Sequence, residues 1–121
     1  MTYLKYIFLG SFLVMLSGCF NTDTTPKFDL KSYFTGPLKA WGIVQNFRGE
    51  VVRSFDVTMT GSWKGEEGTL EETFQYYDGE TQKRTWKIKR LEENNYEGTA
   101  GDILGAAKGE VNGRAMRWKY Q

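Results

Sequence analysis

The sequence predicts an all-β domain, an antiparallel meander wrapped as an up-and-down barrel and preceded by a signal peptide. Three observations carry that expectation. From Trp41 onward, apolar and polar residues alternate with a period of two, the spacing of a half-buried strand. The 14 glycines and 19 aromatic residues, against two prolines, suit short strands and tight turns better than helices. The breaks between apolar runs are short and hold turn pairs such as Asp78-Gly79 and Asn112-Gly113.

Residues 1–18 read as a lipoprotein signal peptide. Lys5 supplies the positive start, and Tyr6 to Leu16 forms an apolar run broken only by Gly10 and Ser11. That run is too short to span a bilayer as a helix, which takes about 20 residues, and it matches the apolar region of an export signal. The ending Leu16-Ser17-Gly18-Cys19 has the form of a lipobox. Its cysteine sulfur takes a diacylglyceryl group, because a thiolate is the side chain that alkylates readily. Cys19 is the only cysteine, so an exported chain offers it no disulfide partner. Lipidation at Cys19 is therefore expected, and with two or more acyl chains the anchor holds firmly. Phe20 stands where an aspartate would signal inner-membrane retention, so the expected location is the outer membrane, lipid-anchored on its periplasmic face. Residues 19–27, polar and aperiodic, read as the tether.

The remaining 28–121 form the β-barrel-like domain. Asp29 either caps one helical turn through Phe34, stopped at Gly36-Pro37, or the segment runs extended into the first strand. Strands are then expected at 40–47, 50–63, 69–77, 81–91, 96–101, 103–111 and 114–120. In the second, Phe55, Val57 and Met59 share one face; in the third, Leu70, Glu72, Phe74 and Tyr76; in the fourth, Arg84, Trp86 and Ile88. A three-residue loop at Tyr77-Asp78-Gly79, with Gly79 left-handed, sets Glu72 opposite Arg84. A two-residue turn would throw the two apolar sets onto opposite faces. Asn112-Gly113 is expected to turn the last hairpin, with Val111 facing Arg114, Gly109 facing Met116, Ala107 facing Trp118 and Gly105 facing Tyr120, a small residue against a large one in the last three. Consecutive antiparallel strands with bare edges close on themselves or are covered, and a lipocalin-like barrel is the natural closure.

Composition narrows the chemistry. Once 1–18 is removed, 15 basic and 15 acidic residues remain, which leaves no electrostatic footprint for nucleic acid. The chain has no histidine, hence neither the commonest general base nor the commonest metal nitrogen ligand. With Cys19 lipidated no thiol is left, and no calcium-loop spacing occurs. No cofactor, no metal and no enzymatic activity are expected. Glu72 and Arg84, charged residues on an apolar face, read either as a head-group site or as an ion pair that fixes register. Asp102 reads first as a turn residue, and Lys83, Lys87 and Lys89 as a solvated outer stripe.

Taken together, "FTGPLKAWGIVQNFRGEVVRSFDVTMTGSW", "DGETQKRTWKIKRL", "YEGTAGDILGAAKGE" and "MRWKY" resemble the lipoproteins of the domain of unknown function numbered 3833. The resemblance implies a lipobox and a lipocalin-like domain, and it brings no catalytic residues. Family members continue past the "RWKY" segment, so the resemblance also implies that this chain forms an incomplete barrel, truncated before its closing strands. Two functional readings follow. One is a membrane-anchored binding module that holds a small apolar or amphipathic ligand, with Glu72, Arg84, Trp86 and Trp118 as the contact residues and Trp41, Phe55 and Phe74 beside them. The other is a structural or partner-binding envelope lipoprotein with a self-filled barrel and no ligand.

Overall fold

The computed structural model describes residues 26–121. The signal peptide at 1–18, the lipidation residue Cys19 and most of the tether lie outside the described residues.

Asp29 starts the first helical turn. Its carboxylate accepts the Ser32 N–H at 3.3 Å, and its own backbone is extended, the geometry of an N-cap. The helical alternative therefore holds: α1 is the single turn Leu30–Tyr33, closed by the Phe34 N–H on the Leu30 carbonyl at 2.9 Å. Such a cap contributes about 1 kcal/mol. Gly36, at φ 78°, redirects the chain into the sheet.

Seven strands follow: β1 (Gly36–Gln45), β2 (Val51–Lys64), β3 (Glu67–Tyr76), β4 (Thr81–Glu92), β5 (Asn95–Thr99), β6 (Ala107–Asn112) and β7 (Ala115–Lys119). They form one antiparallel sheet in strict chain order, curled into a half-barrel. The expected all-β meander is what the chain adopts. β1 starts four residues before the alternation becomes visible and includes Pro37. An edge strand tolerates a residue without an N–H, because one of its sides has no ladder to complete.

The β3–β4 register is the expected one. Gly79 has φ 93°, Tyr77 to Gly79 form the loop, and Glu72 stands opposite Arg84. The last hairpin departs from expectation. Asn112 pairs with Ala115, Val111 with Met116 and Gly109 with Trp118. The turn is Gly113-Arg114, with φ 58° at Gly113 and no positive φ at Arg114, the type II′ pattern rather than I′. The pairing thus sits two residues from the expected one. A slip of two preserves every residue's face, whereas a slip of one would have reversed it. The strand expected at 103–111 is also shorter, since residues 100–106 form the loop into β6.

The core lines the concave face. Val57, Met59, Leu70, Trp86, Ile88, Tyr96, Ala107 and Val111 are buried there, and Leu30 of α1 is fully buried against them. Two glycines let aromatic and backbone groups come close. The Trp118 ring covers Gly109, and the Phe34 carbonyl lies where a side chain at Gly61 would project. Bulky rings over bare glycine backbone are what a tightly curved wall requires. α1 is held at one end of the half-barrel by three ties. The Trp63 Nε1–H donates to the Phe34 carbonyl at 2.9 Å, Lys31 Nζ to the Gly65 carbonyl at 2.8 Å, and the Phe28 N–H to the Gly113 carbonyl at 2.8 Å.

One outer row is charge-matched from β2 to β6. Lys64, Glu67, Lys89, Glu97 and Lys108 follow one another as direct neighbours across five strands. Opposite charges on adjacent strands attract, so Lys89 lies in a row of alternating sign. Lys87 Nζ donates to Thr69 Oγ1 at 3.0 Å.

Candidate ligand-binding site

The strand alternation that buries Leu70 and Phe74 also carries Glu72 inward between them. In the ladder, Leu38, Met59, Glu72 and Arg84 form one row across β1 to β4. An apolar cavity of about 310 Å³ occupies the concave face above this row. Its walls come from β1 (Ala40), β2 (Phe55, Val57, Met59), β3 (Leu70, Phe74), β4 (Trp86, Ile88) and β7 (Met116, Trp118), and Leu30 and Phe34 of the α1 segment also contribute. Glu72 is the one charged residue among the lining side chains.

The structure brings three of the four expected contact residues, Glu72, Trp86 and Trp118, to this cavity. Glu72 Oε2 accepts the indole N–H of Trp86 at 3.2 Å. Trp86 in turn meets the Trp118 ring edge-on, with centroids 5.4 Å apart. Burial of Glu72 pushes its carboxyl above the ordinary range, opposed by the nearby Arg84 charge and the Trp86 hydrogen bond.

Arg84 behaves differently from either expectation. Although opposite Glu72 in the ladder, it makes no ion pair with it. Its Nε donates to Asp102 Oδ1 at 3.0 Å and its Nη2 to Asp102 Oδ2 at 2.8 Å, a forked bidentate contact. Gln82 Nε2 also donates to Asp102, at 3.1 Å. Asp102, in the β5–β6 loop, is held below the ordinary carboxylate range first by the Arg84 hydrogen bond, and Arg84 is correspondingly raised by the same bond. The physical reason is reach: the loop brings a carboxylate to the fork of the guanidinium, whereas Glu72 is turned toward the indole N–H. Arg84 lies beside the cavity without lining it, its guanidinium carbon 5.5 Å from the Phe74 centroid and 5.6 Å from that of Trp86.

Trp41 is at the cavity, as expected. It borders the cavity at the edge strand, but its parity is that of the outer face, opposite Asp56, and it is 72 % exposed. Sequence reasoning missed Met116, Leu30 and Phe34 as walls and Asp102 as the partner of Arg84. A wider depression of about 710 Å³ crosses the outer face near Lys64, Glu67, Lys89 and Glu97. Its borders combine the charged residues of the charge-matched row with the apolar side chains of Trp63, Ile88 and Leu91.

A family match spans residues 13–121 and carries the description Protein of unknown function (DUF3833). The chain belongs to this family. Within the DUF3833 chain the match takes in every strand of the half-barrel and all the cavity residues. No curated protein and no solved structure matches the chain. Among the described residues, no helix is long and apolar enough to cross a membrane.

Proposed function

We propose that this DUF3833 protein is a lipid-anchored binding module of the outer membrane, facing the periplasm, which holds a small apolar or amphipathic molecule in its half-barrel and catalyses no reaction. The observation that carries the reading is the 310 Å³ cavity, lined by apolar and aromatic side chains with a single carboxylate among them. That volume lies at the lower end of the range of small-molecule sites, about 300–1,000 Å³, and mostly apolar walls with few polar groups are their usual composition. Support for the anchor comes from the sequence Leu16-Ser17-Gly18-Cys19 after an export-type apolar run.

Two measurements test the two halves. Native mass spectrometry of the full-length protein from its own membranes is expected to show a retained small molecule; clean apo protein at full occupancy refutes carriage. Cys19→Ala, or globomycin treatment, is expected to leave the precursor unprocessed, and normal maturation in either case refutes lipidation.

A second reading, a structural lipoprotein with no ligand, draws on the packing of the cavity wall itself. Trp86 is 4 % exposed and its contact with Trp118 fills much of the concave wall with the protein's own rings. The same mass spectrum separates the two.

A further inference from the structure

The charge at the cavity wall specifies which end of an amphipathic molecule the site would recognise. This inference rests on the ligand-carrying reading above and gives that ligand a sign. Among the described residues, Glu72 is the only charged side chain on the cavity wall. One of its oxygens takes the Trp86 N–H, and an ionised carboxylate has room for about four donors. Arg84, the cation on the same ladder row, is committed through a forked contact to Asp102. With both carboxylates ionised, Glu72, Asp102 and Arg84 together carry one net negative charge, and Glu72, which Arg84 compensates only in part, holds it on the cavity side. The neighbouring walls include the aromatic rings of Phe55, Phe74 and Trp86, and the face of such a ring attracts a cation.

We propose that the cavity selects an amphiphile whose apolar part ends in a positively charged nitrogen, with Glu72 as its counter-ion, and that it rejects anionic amphiphiles such as fatty acids. A positively charged nitrogen regains at Glu72 the hydrogen bonds and charge it gives up in leaving water. A carboxylate would meet a like charge, with the Arg84 guanidinium already taken by Asp102. The raised proton affinity of Glu72 in the empty site agrees with this, since burial there disfavours a charge that has no full partner. The nitrogen could belong to a free alkylamine or to a lipid head group, and the recognising chemistry is the same.

The test uses the full chain in micelles of dodecyl maltoside, whose head group is an uncharged sugar, with protein-free micelles subtracted and binding read from tryptophan fluorescence. The probes are octylamine, octanol, octanoate and a short-chain lysophosphatidylethanolamine. Octylamine is expected to bind more tightly than octanol, and octanol more tightly than octanoate. Glu72→Gln should weaken octylamine by about tenfold or more, the worth of a charge-assisted hydrogen bond, and change octanol less than about twofold. Asp102→Ala, which releases Arg84, should improve octanoate binding. Tighter binding of the lysolipid than of octylamine assigns the nitrogen to a lipid head group; weaker binding assigns it to a free amine.

Octanoate binding as tightly as octylamine to the wild-type protein, with Glu72→Gln indifferent to both, overturns the assigned sign and leaves carriage standing. Failure of all four probes, together with a clean native mass spectrum, overturns carriage itself.

Discussion

Replacing Asp102 by Asn removes the charge that holds Arg84 while keeping a side chain of the same shape. The Arg84 side chain is 13 % exposed and that of Asp102 is 42 % exposed, so the pair sits between two regimes. A fully buried pair broken on one side costs about 3–5 kcal/mol, and an exposed pair about 0.2–1 kcal/mol. Because Asp102 is more than a third exposed, water screens it and the lower regime dominates. The forked geometry, with bonds of 3.0 and 2.8 Å, raises the expectation to the top of that range. Asp102→Asn is therefore expected to cost about 1 kcal/mol at pH 7. With a urea slope of about 1–1.5 kcal/mol/M for a chain of this size, the midpoint falls by about 0.7–1 M.

The pH dependence identifies the cause. Asp102 is depressed in the folded state, so its contribution is fully present above the unfolded aspartate pKa of about 3.9 and is lost as pH falls through the lower folded value. Urea unfolding followed by tryptophan fluorescence should show the two proteins separated at pH 7 and converging below about pH 4. In an Arg84→Met background the Asp102→Asn substitution should have almost no effect at any pH, since the partner is gone. An equal penalty at pH 7 and at pH 3 would show that the charge is not what links the β5–β6 loop to β4.

Glu72 carries the opposite sign. Its folded carboxyl is raised by burial, so the empty protein loses stability as pH climbs from the unfolded glutamate value, about 4.3, through the folded one. Glu72→Gln is expected to raise the thermal midpoint of the empty protein at pH 7 and to leave it unchanged below about pH 4; a lower midpoint at pH 7 would mean that the Arg84 charge outweighs desolvation. Gly109→Ala, where a methyl group would overlap the Trp118 ring, should cost about 1–3 kcal/mol. Gly101→Ala, with open space around it and no positive φ, should stay within about 0.5 kcal/mol. Equal effects in chemical denaturation would show that the ring over Gly109 contributes nothing to the last hairpin.

The sequence disclosed most of the sheet because parity is a strong constraint. Leu70, Phe74, Trp86 and Ile88 can share one face only if Tyr77 to Gly79 form an odd loop, and that places Glu72 opposite Arg84, as observed. Parity says nothing about a slip of two. Both registers of the last hairpin keep Met116 and Trp118 inside, and only the turn chooses between them. Asn112-Gly113 and Gly113-Arg114 each place a glycine in the centre, so the dipeptide left the choice open. The bond from Arg84 to Asp102 joins residues 18 apart through an irregular loop, where no periodicity reports on position. The walls contributed by Leu30 and Phe34 likewise depend on where a single helical turn docks, which is fixed by bonds to Trp63, Gly65 and Gly113, in two separate parts of the chain.

The linear strand order ties the cavity to its route of access. With β1 and β7 at the two ends of the sheet, the concave face is bounded by a seam rather than by an eighth ladder. The cavity is lined from both sides of that seam, by Ala40 and Gly42 on β1 and by Met116 and Trp118 on β7. The α1 segment occupies one end of the half-barrel, where its three hydrogen bonds hold it. A molecule entering through the seam from the β1 side would meet apolar walls first and Glu72 after them, because Glu72 lies two strands in from β1, beyond Met59. An amphiphile would then have to pass its nitrogen through an apolar passage before reaching the carboxylate. Such a passage slows a charged group more than a neutral one, so the on-rate for octylamine should rise with pH as the fraction of neutral amine grows, while the bound state still depends on Glu72. Access by the seam and recognition by Glu72 thus make separable kinetic and equilibrium demands on the same ligand.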